Sequence, residues 1–331
     1  MSMPHQVGLN LVPVSIQQLL VLERPKGQIF ISTNGTYKAI FEAESIIKPV
    51  ELEQLYKKGH TQFFVTEDDF NQIKSLMFQR LQETTRKLSV GDALESGSNY
   101  LNTLLQNLSI LYEDYHNQNL LSLIYQTVPS FTIYLQANKK IISDLYKNIS
   151  SARAHYLFKQ PIQSSLFLTA FITQYNIFSP RETQDLFLIS VLKDLGMCFL
   201  PREAWDKKEL DAYQQEALNK HTLNSVQLLK DRIPIHHSGL HIIEHHHFHN
   251  DTVRKFLKEQ KIEQDQSLVH GIETTITALS DVVTAMHSPR PYRKPYSVDV
   301  IKKITHLILK EHYAEEDKML IKFIDHFFDL Q

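Results

Sequence analysis

The sequence predicts a mainly α-helical protein, a bundle of helices preceded by a small α/β module. Three observations predict it: strand-like alternation confined to the N-terminal part, apolar residues three and four apart from Asp68 onward, and prolines placed as punctuation between the later segments. With 331 residues, 42% of them apolar, the chain can bury a full core, and its length suggests one large domain and one smaller.

Residues 28–41, QIFISTNGTYKAIF, alternate around Asn34-Gly35, a strong hairpin signal. VELEQLYKKGHTQFFVTEDDF then reads as a short helix, a turn at Gly59 and a strand from Gln62 to Val65. Helical spacing follows in Ile73, Met77 and Leu81, and again in Leu101, Leu104, Leu105, Leu108 and Leu111. The polar residues Gly91–Ser98 are the best linker candidate. After them Pro129, Ser179-Pro180, Pro201, Pro234 and the run Ser288–Pro295 separate helices. The expected division is an α/β module at 1–85, a helical linker or dimerisation region at 86–125, and a helical domain at 126–331. LNTLLQNLSILYEDYHNQNLLSLIY is apolar enough to need covering, which motivates a homodimer. By its position, the N-terminal module is expected to meet a protein partner.

The totals exclude several classes. With 35 basic and 37 acidic residues there is no field to draw DNA or an acidic membrane. Cys198 is alone, so no internal disulfide can form, and no run of apolar residues is long enough to span a membrane. The N-terminal residues lack the pattern of a signal peptide, and a cytoplasmic location is expected. No glycine motif of the usual nucleotide cradles is present.

Histidine is the informative excess, seven of the 17 lying between His236 and His249 in IHHSGLHIIEHHHFHN. Asp194, His221, the pair His245-His246 and Asp281 each sit on a helical pattern. Imidazoles and carboxylates converging from several helices are how bundles hold first-row divalent metals, although such residues also cap helices and solvate surfaces. Iron, manganese and zinc all suit this set, with one ion, two or none. A competing reading takes HIIEH, His241–His245, as a zinc-peptidase signature with Glu244 as base and Glu311 or Glu315 as the distant ligand.

From Tyr156 to Ser297 the residues resemble the HD-GYP domain family. SDVVTAMHSPRPYRKPYS is similar to the family's Ala-Asp-x-x-Asp-Ala-x-Thr-Ser-x-Arg-Pro-Tyr-Arg-Lys block. VLKDLGMCFLP, Val191–Pro201, resembles its His-Asp-Ile/Leu-Gly-Lys segment, NKHTLNSVQLL its His-Pro helix, and IIEHHHF its His-His-Glu helix, with a 24-residue step from His221 to His245. The resemblance implies a helical bundle and metal-dependent hydrolysis of the bacterial second messenger cyclic di-GMP. It implies that Asp194 bridges two metals, that His221, His245 and His246 complete one position, and that Asp281 lies on the other. Arg290, Arg293 and Lys294 would meet the phosphates of cyclic di-GMP or a related phosphoester.

The sequence departs from the family's pattern at several of these points. The family's first metal-binding histidine falls on Gln160, the histidine of the His-Asp pair is Lys193, and the lysine after the glycine is Met197. FHNDTVRKFLKEQKIEQDQ, Phe248–Gln266, replaces the Gly-Tyr-Pro loop. His237, His247 and His249 are the nearest stand-ins for lost ligands. Protonated lysine cannot be a ligand, so Lys193 either replaces one metal with a fixed cation beside Asp194 and Asp281 or snorkels from the helix end into solvent. With Lys193 and Asp194 as the residues that decide the chemistry, the expected function is a catalytically impaired regulatory or binding protein of cyclic di-GMP signalling with a partial metal site. An active phosphodiesterase with an altered metal centre, and a helical interaction scaffold, are the alternatives.

Overall fold

The alternation at residues 28–41 folds as expected: β2 (Ile29–Thr33) and β3 (Thr36–Phe41) pair antiparallel, following β1 (Leu11–Val14) and α1 (Ile16–Leu19). Gly35 adopts φ +77° between the two strands, the backbone region that favours glycine. The structure, a computed structural model, describes residues 10–33, 35–60, 62–262 and 270–329, so Asn34 of this turn, the extreme N-terminus and the end of the Phe248–Gln266 segment lie outside the described residues. After α2 (Pro49–Lys57) the chain turns at Gly59, φ +95°, into β4 (Phe63–Thr66) and then α3 (Glu67–Arg86). β4 pairs antiparallel with β1 and β2, giving the sheet order β1-β4-β2-β3. Asp69, buried in the first turn of α3, accepts from the backbone N–H groups of Lys26 at 2.6 Å and Gly27 at 2.9 Å, tying the helix to the loop before β2.

The chain divides into two compact units, Met1–Glu83 and Thr84–Gln331. In the second, α4 (Ala93–Glu113), α5 (Gln118–Ala137), α6 (Ile142–Ser151), α7 (Tyr156–Tyr175) and α8 (Pro180–Leu192) precede a short 3₁₀ turn at Leu195–Phe199. There follow α9 (Ala212–Leu229), α10 (His237–His245), α11 (Asn250–Leu257), α12 (Ile272–His287), α13 (Val298–Leu309) and α14 (Ala314–Asp329). The stretch expected as a linker is mostly helix: Asp92 caps α4 by accepting from Glu95 N–H at 2.9 Å, and Ala93–Ser98 are its first turns. The Phe248–Gln266 replacement segment contains α11.

α4 corrects the reasoning behind a dimer face. Tyr100, Leu101, Leu104, Leu105, Leu108 and Leu111 are buried within their own unit, so this apolar surface needs no second copy to cover it. α7 is buried on nearly every side, as expected of a helix apolar around its whole circumference. It packs on α8 and α12, and these helices set the frame of the site. Among the described residues no helix is long and apolar enough to cross a membrane.

Candidate metal centre

α8 begins with a capping box, Ser179 and Glu182, and ends at Leu192, which delivers Lys193 and Asp194 to the interior. Gly196 follows for a steric reason: a Cβ there would lie 2.1 Å from the His221 carbonyl oxygen and 2.6 Å from the Ser225 nitrogen. The turn can therefore press against α9, an approach sealed by a 2.7 Å hydrogen bond from Gly196 N–H to Ser225 Oγ. The same approach sets Asp194 beside His221. Tyr112 of α4 donates its hydroxyl to the Asp194 carbonyl at 2.9 Å, fixing the turn from the other side.

Asp194 shares its two carboxylate oxygens between two kinds of partner. Oδ1 faces histidines, His246 Nε2 at 3.1 Å and His221 Nε2 at 3.5 Å. His247 closes the group, its Nε2 lying 3.1 Å from His221 Nε2. Nδ1 of His221 and of His246 lies at the carbonyl of Leu218 and Ile243, so in each ring it is Nε2 that faces the centre, where it can donate to Asp194 Oδ1 or, without its proton, offer a lone pair to a metal. Potential ligand atoms of Asp194, His221, His246 and His247 all lie within 4.8 Å of one another, and this group can hold a metal ion. Two imidazole Nε2 atoms facing each other need a proton or a cation between them. With a proton on His247 Nε2, the buried and unpartnered Nδ1 of that ring is left as an acceptor, and a cation at the centre would instead engage both lone pairs. The residues present thus fit a borderline divalent ion.

His245 is placed elsewhere. It is the last residue of α10, and its ring lies against His241 and His270, at 4.3 and 5.1 Å between centroids. The pair that reaches the centre is His246-His247, one residue later than the family spacing suggests.

Asp194 Oδ2 is paired with Lys193. This lysine does not snorkel: it is 0% exposed, and its Nζ contacts both Asp194 Oδ2 and, at 2.8 Å, Asp281 Oδ1 of α12. Burial alone would push the ammonium down, but the two carboxylates outweigh it and hold Lys193 above the ordinary lysine value. Burial likewise opposes ionisation of Asp194, yet Lys193 and the hydrogen bonds from His221 and His246 hold that carboxyl well below its usual range. Asp281 is lowered too, Lys193 again overcoming burial. His247 is held neutral by burial and by its histidine neighbours.

Gln160 stands on the far side of Asp281. Its Nε2 donates to Thr284 Oγ1 at 2.9 Å, to the Asp281 carbonyl at 3.1 Å and to Asp281 Oδ1 at 3.2 Å, while its Oε1 accepts from Arg290 Nη2 at 2.7 Å. Arg290 lies over the Tyr156 ring at 4.2 Å and keeps a buried Nη1 without a partner. Arg293 turns away, donating to the carbonyls of Ala285 and Met286 at the end of α12, and Lys294 is exposed.

No protein-family model and no curated protein matches the sequence. Among solved structures the chain is similar to Bd1817, a HDG"Y"P protein from Bdellovibrio bacteriovorus, at a TM-score of 0.60 and 12% identity over 97% of this chain and 100% of that one. The fold is HD-GYP-like. In this HD-GYP-like bundle Asp194 and His221 come together as expected. His247, read from sequence only as a stand-in, joins them, and the one available signal for it is the run of three histidines. Lys193 and Gln160, at the positions where the sequence resemblance predicts histidines, form a chain of contacts from Asp194 through Asp281 to Arg290.

Proposed function

We propose that this chain is a degenerate HD-GYP protein that serves cyclic di-GMP signalling as a regulatory or binding protein, with one metal position and no hydrolytic turnover. The observation that carries this reading is the buried Lys193 ammonium between Asp194 and Asp281, the two carboxylates that the family resemblance assigns to a second metal. Hydrolysis of a phosphodiester by a two-metal centre depends on an attacking hydroxide held between the ions. Three properties of the chain bear on that step. Lys193 compensates the two carboxylates in part but offers no lone pair to a second ion or to its hydroxide. Gln160 spends its amide on Asp281 and Thr284. Asp194 keeps only Oδ1 directed at the histidines.

A metal held by Asp194, His221, His246 and His247 would supply Lewis acidity and a positive charge attractive to a phosphoryl oxygen. Arg290, steered by Gln160 and Tyr156, keeps a free Nη1 for the same class of ligand. The test is to incubate the untagged protein with cyclic di-GMP and manganese or iron. We expect product formation no greater than in a protein-free control. Metal-dependent release of linear dinucleotide or GMP, abolished by Asp194→Ala, would overturn the reading.

A further inference from the structure

We propose that His241, His245 and His270 form a second transition-metal site, a three-imidazole surface site separate from the Asp194 centre. His241 and His245 are four apart on α10 and therefore share a helix face, with ring centroids 4.3 Å apart. His270 enters from two residues before the start of α12, its centroid 5.1 Å from that of His245 and 5.6 Å from that of His241. Three imidazoles bound to one tetrahedral ion at about 2.0–2.1 Å put their ring centres about 5 Å apart, close to the spacing of these three rings, and side-chain rotation would have to bring one nitrogen of each onto the ion. Among the described residues no hydrogen bond engages these ring nitrogens.

The backbone around the third ring is well held. Tyr313 donates its hydroxyl to the His270 carbonyl, and Phe248 packs on the imidazole at 4.0 Å between centroids. His241 is exposed, His245 half-buried and His270 buried, so the site is open on one side, leaving a fourth coordination position to water or an outside ligand. A purely imidazole donor set suits zinc, nickel, copper or iron, and not magnesium or calcium. The arrangement also accounts for HIIEH without a peptidase: the group that closes on the two histidines is a third imidazole.

The experiment is zinc titration by calorimetry of the untagged, chelator-treated full chain, compared with His241→Ala and with His270→Ala. His241 is on the surface, so His241→Ala keeps the fold. Zinc bound per chain is expected to fall by one, or the affinity of one site by about tenfold or more, in each variant. Unchanged stoichiometry and affinity in His241→Ala would overturn the proposal. The Asp194 centre contains none of the altered residues, so failure here leaves the reading of that centre unaffected.

Discussion

In the proposed function Lys193 is the residue that decides what the centre can do, and its worth can be measured. Removing one member of a buried ion pair leaves the other charged and desolvated, a loss of about 3–5 kcal/mol. Lys193→Met should therefore destabilise the protein by about that amount in denaturant unfolding, because Asp194 and Asp281 are left facing each other with no cation between them. Wild-type stability in this variant would mean that the ammonium is solvated, contrary to its complete burial. None of this burial is legible in the sequence, since a lysine at a helix C-terminus is equally suited to solvent. The pairing becomes visible only when α12 brings Asp281 to the end of α8.

The elements show where sequence reading succeeds and where it stops. The β2-β3 hairpin is legible because side chains alternate over its length, whereas β1 and α1, four residues each, are too short for a periodic signal, and Pro13 argues against a strand except at an edge, where β1 lies. Three consecutive histidines fit the family spacing almost equally well. Only the end of α10 separates His245 from His246 and His247. Gly196 reads as a helix stop, but what requires it is contact with the α9 backbone. Gly196→Ala should accordingly force the turn away from α9, lowering Tm by several degrees and weakening metal binding together, as followed by thermal melting with and without added manganese. A variant that melts and binds metal like the wild type would refute that role.

The whole molecule has a pH profile set by these buried groups. Asp194 and Asp281 have lowered folded-state values, so their contribution is complete above about pH 4 and is lost as pH falls through the lowered values. Lys193 is raised, so its contribution is complete below about pH 10 and is lost as pH rises through the raised value. His247 is held well below its ordinary value, and burial pushes His249 down to about 3. The unfolded chain takes up protons at these histidines from about pH 6.5 downward while the folded chain does not, so acidification lowers stability. Melting temperature in metal-free buffer should hold a plateau between about pH 6.5 and 10 and decline on both sides, and a rise from pH 6.5 to 5 would contradict the account.

At this same scale lies the claim that one fixed cation replaces one metal. It is tested most directly by anomalous scattering from crystals grown with excess manganese or iron. The account predicts a single peak in the interior centre, bound by Asp194 Oδ1, His221, His246 and His247, with Lys193 Nζ still on Asp194 Oδ2 and Asp281. Two interior peaks bridged by Asp194, with Lys193 swung out of the site, would contradict it.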